Sequence, residues 1–321
     1  MKTCSDLGPL QRYSLNGPTM GSRYSAVFHA AQGFDTVPLA QALYEAVDDV
    51  DWQMSSWRTD SDLMRFNALP PGEWMTLPAN LVWVLQTAVQ VGAESGGAFD
   101  IAVADLVQAW GFGPGRKPAD CSSRAALERQ ARVSASAALE FDFDAGRVRK
   151  RQPVRLDLGG IAKGFGVDQL ARALERHGIH DYLVSIDGEL RAAGSKPDGS
   201  PWTVAIEKPE AGVREAFSVL ELGEGALATS GDYRHFHDLE GHRVAHTMDP
   251  RRAVPLDNPL ASVSVLAPSC MLADAWATAL LVLGPEAGPA LACERGMSAL
   301  FLLRDGDAIR QLWILEGRVQ D

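Results

Sequence analysis

Cysteine is scarce in this 321-residue chain, and the usual metal-ribbon and phosphate-loop motifs are missing. The four cysteines, Cys4, Cys121, Cys270 and Cys293, include no CxxC pair. That spacing excludes a zinc ribbon and a redox dithiol. A chain of this length holds a core without disulfides, so the four read as free thiols. No apolar run of 18 residues is present, and no membrane span is expected. Residues 1–15 have one lysine and no apolar stretch, which is not an intact secretory signal; a cytoplasmic location is the expectation, or a periplasmic one if a leader was removed. A surplus of positive charge is also lacking. The net charge of -11 repels phosphate backbones, which argues against nucleic acid and against a polybasic membrane anchor. A diphosphate ligand would need a cation or helix N-termini to overcome that field. Neither GxxxxGK[ST] nor GxGxxG occurs, and no repeat with a period of about 20–50 residues is visible.

What is present is an ordinary globular balance, 46% apolar and 22% charged. Residues 1–12 read as a tail and 13–321 as a single domain. Apolar spacing predicts helices over 37–52, 80–91, 101–110, 161–177, 270–283 and 286–294. Alternation and β-branched content predict strands over 23–30, 182–186, 190–193, 202–206, 217–222, 226–229 and 261–267. Hairpins are predicted over 139–150, 235–246 and 297–315, with turns at Asp144-Ala145-Gly146, Glu240-Gly241 and Asp305-Gly306. Residues 116–138 turn polar and Ala/Arg-rich, as a surface helix or an insertion would. Helices cluster early and strands late, which favours an α+β fold, with mixed sheets and flanking helices.

Four segments carry chemistry. Asp157-Leu158-Gly159-Gly160-Ile161-Ala162-Lys163-Gly164 passes from strand to helix through glycines, so its amides can approach a phosphate; a plain tight turn reads the same way. Asp274 and Thr278 are spaced i and i+4 and share one face of an apolar helix. A carboxylate beside a hydroxyl offers hard oxygen ligands to magnesium, while a dipole partner with a back-bonded threonine has the same spacing. Thr229-Ser230-Gly231-Asp232-Tyr233 ends a strand in hydroxyls and a carboxylate, either a ligand contact or a capped turn. The histidines His235, His237, His242 and His246 suggest a zinc site or a solvated hairpin. His246 stands where the strand gives way to a loop, close to Asp249, a plausible general base.

In this order the segments resemble the ApbE family, the FAD:protein FMN transferases. Met20-Gly21-Ser22, Met54-Ser55-Ser56-Trp57 with Ser61 and Asn67, Ser95-Gly96-Gly97-Ala98-Phe99-Asp100 and Trp110-Gly111-Phe112-Gly113 are similar to the family's early motifs. Asp157 to Gly164, Thr229 to Tyr233, His246-x-x-Asp249-Pro250 and Asp274-x-x-x-Thr278 are similar to its later ones. The resemblance implies an ApbE-like, T-fold-like architecture. It implies Mg2+ held by Asp274, Thr278 and the Ala162 carbonyl. It implies FAD bound through Met20, Trp57, Asp100, Gly160, Lys163, Ser230 and Asp232, with Trp57 on the adenine. His246 would lie near the reacting diphosphate, with Asp249 orienting it. The FMN half of FAD would pass to a Thr or Ser hydroxyl of an acceptor protein carrying a D-G-x-[ST]-G-type sequence, and AMP would leave. An FAD pyrophosphatase, a flavin carrier and a zinc hydrolase are the alternatives. Trp57 stands where the pattern has Tyr, Ser22 where it has Thr, Asp187-Gly188-Glu189 where it has GGE or GGD, and Arg252-Ala253 where it has Thr-Gly.

Overall fold

The computed structural model describes residues 10–114, 118, 120, 123–124, 133–210, 212–234, 236–239, 242–306 and 308–320. Its frame is a nine-stranded sheet whose neighbours follow chain order: β1 (Leu10–Thr19), β2 (Ser22–Ala31), β3 (Tyr182–Ile186), β4 (Glu189–Ala193), β5 (Gly225–Gly231), β6 (Leu260–Ala267), β7 (Ser298–Asp305), β8 (Ala308–Leu315) and β9 (Arg318–Val319). Every neighbouring pair is antiparallel. The other described elements lie in excursions between adjacent strands.

The excursion from β2 to β3 holds α1 (Val37–Met54), α2 (Asp62–Ala68), α3 (Ala79–Glu94), α4 (Ala104–Ala109) and α5 (Ala162–Arg176). α1 buries Leu39, Leu43, Val47, Val50 and Met54, a stripe at helical period, so one face must be covered. The stretch from β6 to β7 is α6 (Cys270–Glu294). These helices cover one face of the sheet, against Tyr24, Ala26, Phe28, Val184, Val263, Val265, Ala299 and Phe301. Leu300 and Leu302 point the other way by strand alternation. With Ala192 and Leu227 they meet Trp202, Val204, Ile206 and Leu222 of the hairpin Trp202–Glu207 and Ala216–Leu222. The sheet is thus sandwiched between helices and a hairpin, and the α+β expectation holds.

Several expectations need correction. β1 begins at Leu10, inside the stretch read as a tail. The helix expected over 101–110 starts only at Ala104, because the Asp100 carboxylate holds the Ala102 amide in a turn (2.8 Å). α6 runs together the two helices expected over 270–283 and 286–294. It has the length and apolarity of a membrane-crossing helix, with a mean hydropathy of 1.2, yet it is mostly buried in the protein's own core. It breaks at Gly284 (φ 86°), between those two spans. Of residues 116–138, most lie outside the described set, as do Cys4, Cys121 and His235.

Candidate functional site

The N-termini of α5 and α6 cross at a contact only glycine permits. A Cβ on Gly164 would stand 2.3 Å from the Cys270 carbonyl oxygen and 2.8 Å from the Asp274 Cβ. Asp168, a buried acid on the otherwise apolar face of α5, fixes the crossing. Its oxygens accept from the Cys270 and Met271 amides, both at 3.0 Å, and from Arg191 of β4 at 2.8 Å. One turn along α6, Asp274 is 4% exposed and its Oδ2 accepts from the Gly164 amide at 3.0 Å. Its Oδ1 accepts no hydrogen bond among the described residues. Burial and the charge of Glu189 push the Asp274 carboxyl up to about 7, against the pull of Lys163 and the Gly164 amide.

Thr278 lies one turn further and shares a hydrogen bond with Ser230 of β5 (2.9 Å). A Cβ on Gly160 would come within 3.1 Å of the Thr278 hydroxyl and 3.2 Å of the Phe99 ring. The acid and the alcohol of α6 therefore both face the glycine turn, and Ala162 opens α5 between Gly160 and Gly164. The two motifs come from segments 110 residues apart.

Lys163 pairs with Glu189 (2.9 Å) and Asp187 (3.4 Å). Burial opposes its charge, but Glu189, Asp274 and Asp187 together raise its pKa. Met20, in the β1–β2 turn with φ 46°, reaches α5 beside Gly166, where a Cβ would be 3.1 Å from the Met20 methyl. Trp57 is 53% exposed on the α1–α2 loop. That loop is tied to the glycine turn through Asp157, whose carboxylate takes the Gly159 amide (2.8 Å) and the Ser56 hydroxyl. Burial raises the Asp157 carboxyl, and those two donors counter it.

Three expected residues have other work in the structure. Asp100 accepts from the Ala102 and Ala135 amides, which makes it a brace for its loop. Asp232 forms a two-bond pair with Arg304 of β7. Asp249, expected to orient His246, instead takes Arg251 through both oxygens at 3.1 Å, and Arg251 reaches on to the Val282 carbonyl of α6 (3.3 Å). His246 sits edge-on to Phe112, which also stacks on His237 at 4.3 Å. His237 Nε2 is within 3.2 Å of the Gly111 carbonyl. Among the described residues, no group of three or more His, Cys, Asp or Glu is arranged to hold a metal ion. The α6 face differs in kind, with one carboxylate and hydroxyls.

The ApbE family model matches residues 20–301. The chain belongs to the ApbE family. It is 36% identical over 305 residues to the FAD:protein FMN transferase of Vibrio cholerae serotype O1, covering 94% of this chain and 91% of that protein. It is 33% identical over 302 residues to that of Escherichia coli K12, covering 92% and 85%. The solved flavin transferase ApbE from Vibrio cholerae superposes with a TM-score of 0.85 at 35% identity, over 95% of this chain and 97% of that one. The apo flavinyl transferase ApbE of Pseudomonas stutzeri gives 0.84 at 35%, over 98% and 99%. Within this ApbE fold, sequence reasoning missed Asp168 as part of the site. For Asp168 a signal existed, a charge among Val167, Leu170, Ala171 and Leu174 on a buried helix face.

Proposed function

We propose that this chain transfers the FMN half of FAD to a Thr or Ser hydroxyl of an acceptor protein through a phosphoester bond and releases AMP. The observation that carries this reading is the α6 acid–hydroxyl face lying against the 159–164 glycine turn. Asp274, Thr278 and the Ala162 carbonyl would hold Mg2+. The fit rests on the buried Asp274 carboxylate, with one oxygen uncommitted, and on hydroxyls that are hard oxygen donors. Bound there, Mg2+ supplies charge neutralisation for the diphosphate oxygens.

The chain's own residues do the rest. Amides of the glycine turn and the α5 N-terminus face the diphosphate. Trp57, exposed beside that turn, stacks on the adenine, an indole in place of a phenol. Lys163, Gly160, Ser230 and Met20 line the flavin nucleotide's path, while Asp100 and Asp232 act through the loop and the arginine they hold. The acceptor hydroxyl oxygen bonds to the phosphorus of the FMN half as the bond to the bridging oxygen breaks. AMP leaves with that oxygen, and His246 takes the hydroxyl proton. Asp249 serves by fixing Arg251, which ties the His246 loop to α6. Positioning and charge stabilisation carry most of the rate.

The test is a denaturing gel after incubation with FAD, Mg2+ and an acceptor bearing a D-G-x-[ST]-G sequence. A flavin-fluorescent acceptor band is expected. Free FMN and AMP without labelling would make the chain a pyrophosphatase, and intact bound FAD would make it a carrier.

A further inference from the structure

A run of alternating charge leads out from the buried end of the site. Glu189, 4% exposed, holds Lys163 at 2.9 Å. Lys163 meets Asp187 at 3.4 Å, and Asp187 meets Arg234 at 3.2 Å. Arg234 then pairs with Glu207, which lies at the end of the strand Trp202–Glu207 on the opposite face of the sheet from the helices. The central link stands on a strained backbone. Asp187 has φ 59° in the β3–β4 turn, a conformation that glycine takes freely and few side chains adopt. Its carboxylate bridges two cations from different segments.

We infer that Asp187 is a positioning residue that locks the 202–222 hairpin to the Lys163 side of the site and so sets the rim over which an acceptor protein delivers its hydroxyl. The inference rests on the transferase reading for the identity of what crosses that rim. The geometry supports it in one further way. Asp187, Arg234 and Glu207 continue the run from Glu189 and Lys163, with side chains 28%, 29% and 18% exposed against 5% for Glu189.

Two substitutions separate charge from backbone. Asp187→Asn keeps a residue that tolerates positive φ and removes the charge; Asp187→Gly also relieves the strain. Both are expected to raise the KM for the acceptor about three- to fivefold, with kcat and the KM for FAD within about twofold, and to speed amide exchange in the hairpin by a similar factor. Adding Glu207→Gln to Asp187→Asn should change little more, because the run is already cut. An unchanged acceptor KM in both variants, or hairpin exchange at the wild-type rate, overturns the inference. Labelling of the acceptor by the unaltered protein tests the transferase reading separately. Hairpin exchange decides the lock whatever that outcome.

Discussion

Replacing Asp274 by Ala removes the carboxylate from the α6 face while leaving Thr278 and the glycine turn in place. Metal-dependent AMP release is expected to fall at least about a hundredfold, followed by chromatography of the nucleotide products. The same side chain sets a pH dependence. Its carboxyl is pushed up to about 7 by burial and by Glu189, so the protonated form is favoured in the metal-free fold. That contribution to stability is fully present below the ordinary carboxylate range and is lost as pH rises through about 7. In EDTA, the melting temperature should therefore drop between about pH 4 and 7, and Mg2+, which takes the ionised form, should recover most of the loss at the upper end. Scanning calorimetry over that range with and without Mg2+ checks this. A flat profile in EDTA would mean that Asp274 ionises as freely in the fold as in water.

At the level of elements, the crossing of α5 and α6 depends on Asp168. Asp168→Ala leaves two α6 amides and Arg191 without their buried acceptor, and a loss of about 3 kcal/mol is expected in urea unfolding. Most elements were legible beforehand because their apolar period is regular, as with Leu39, Leu43, Val47 and Val50 in α1. Others were hidden for physical reasons. β1 carries Gly17 and Pro18, which break the strand pattern, and it lies at the sheet edge paired only to β2. α2 is seven residues, too short to show a period; its signal was Ser61, which caps the Met64 amide. In the site, spacing revealed that Asp274 and Thr278 share a face. It could not reveal Glu189 as the second charge acting on Asp274, or Arg251 as the partner of Asp249, because those pairings are set by the register of strands and loops brought together in three dimensions.

Across the whole molecule, the sheet's simple order conceals one long closure. β1 and β2 form a tight hairpin, and β3 follows β2 in the sheet, yet residues 32–181 intervene. That seam pairs Tyr24 with Ile186 and Phe28 with Tyr182. Non-local antiparallel pairing is slow, because the entropy of loop closure is lost before the contacts form. Met20 lies at the end of the hairpin on one side of the seam, and Asp187 directly follows β3 on the other. On the nucleotide site proposed above, that seam brings Met20 beside Gly166 of α5, so binding waits on this long closure. In refolding from urea, far-ultraviolet ellipticity should recover before the ability to quench flavin fluorescence, and the lag between the two signals measures how long the protein spends nearly folded but unable to bind.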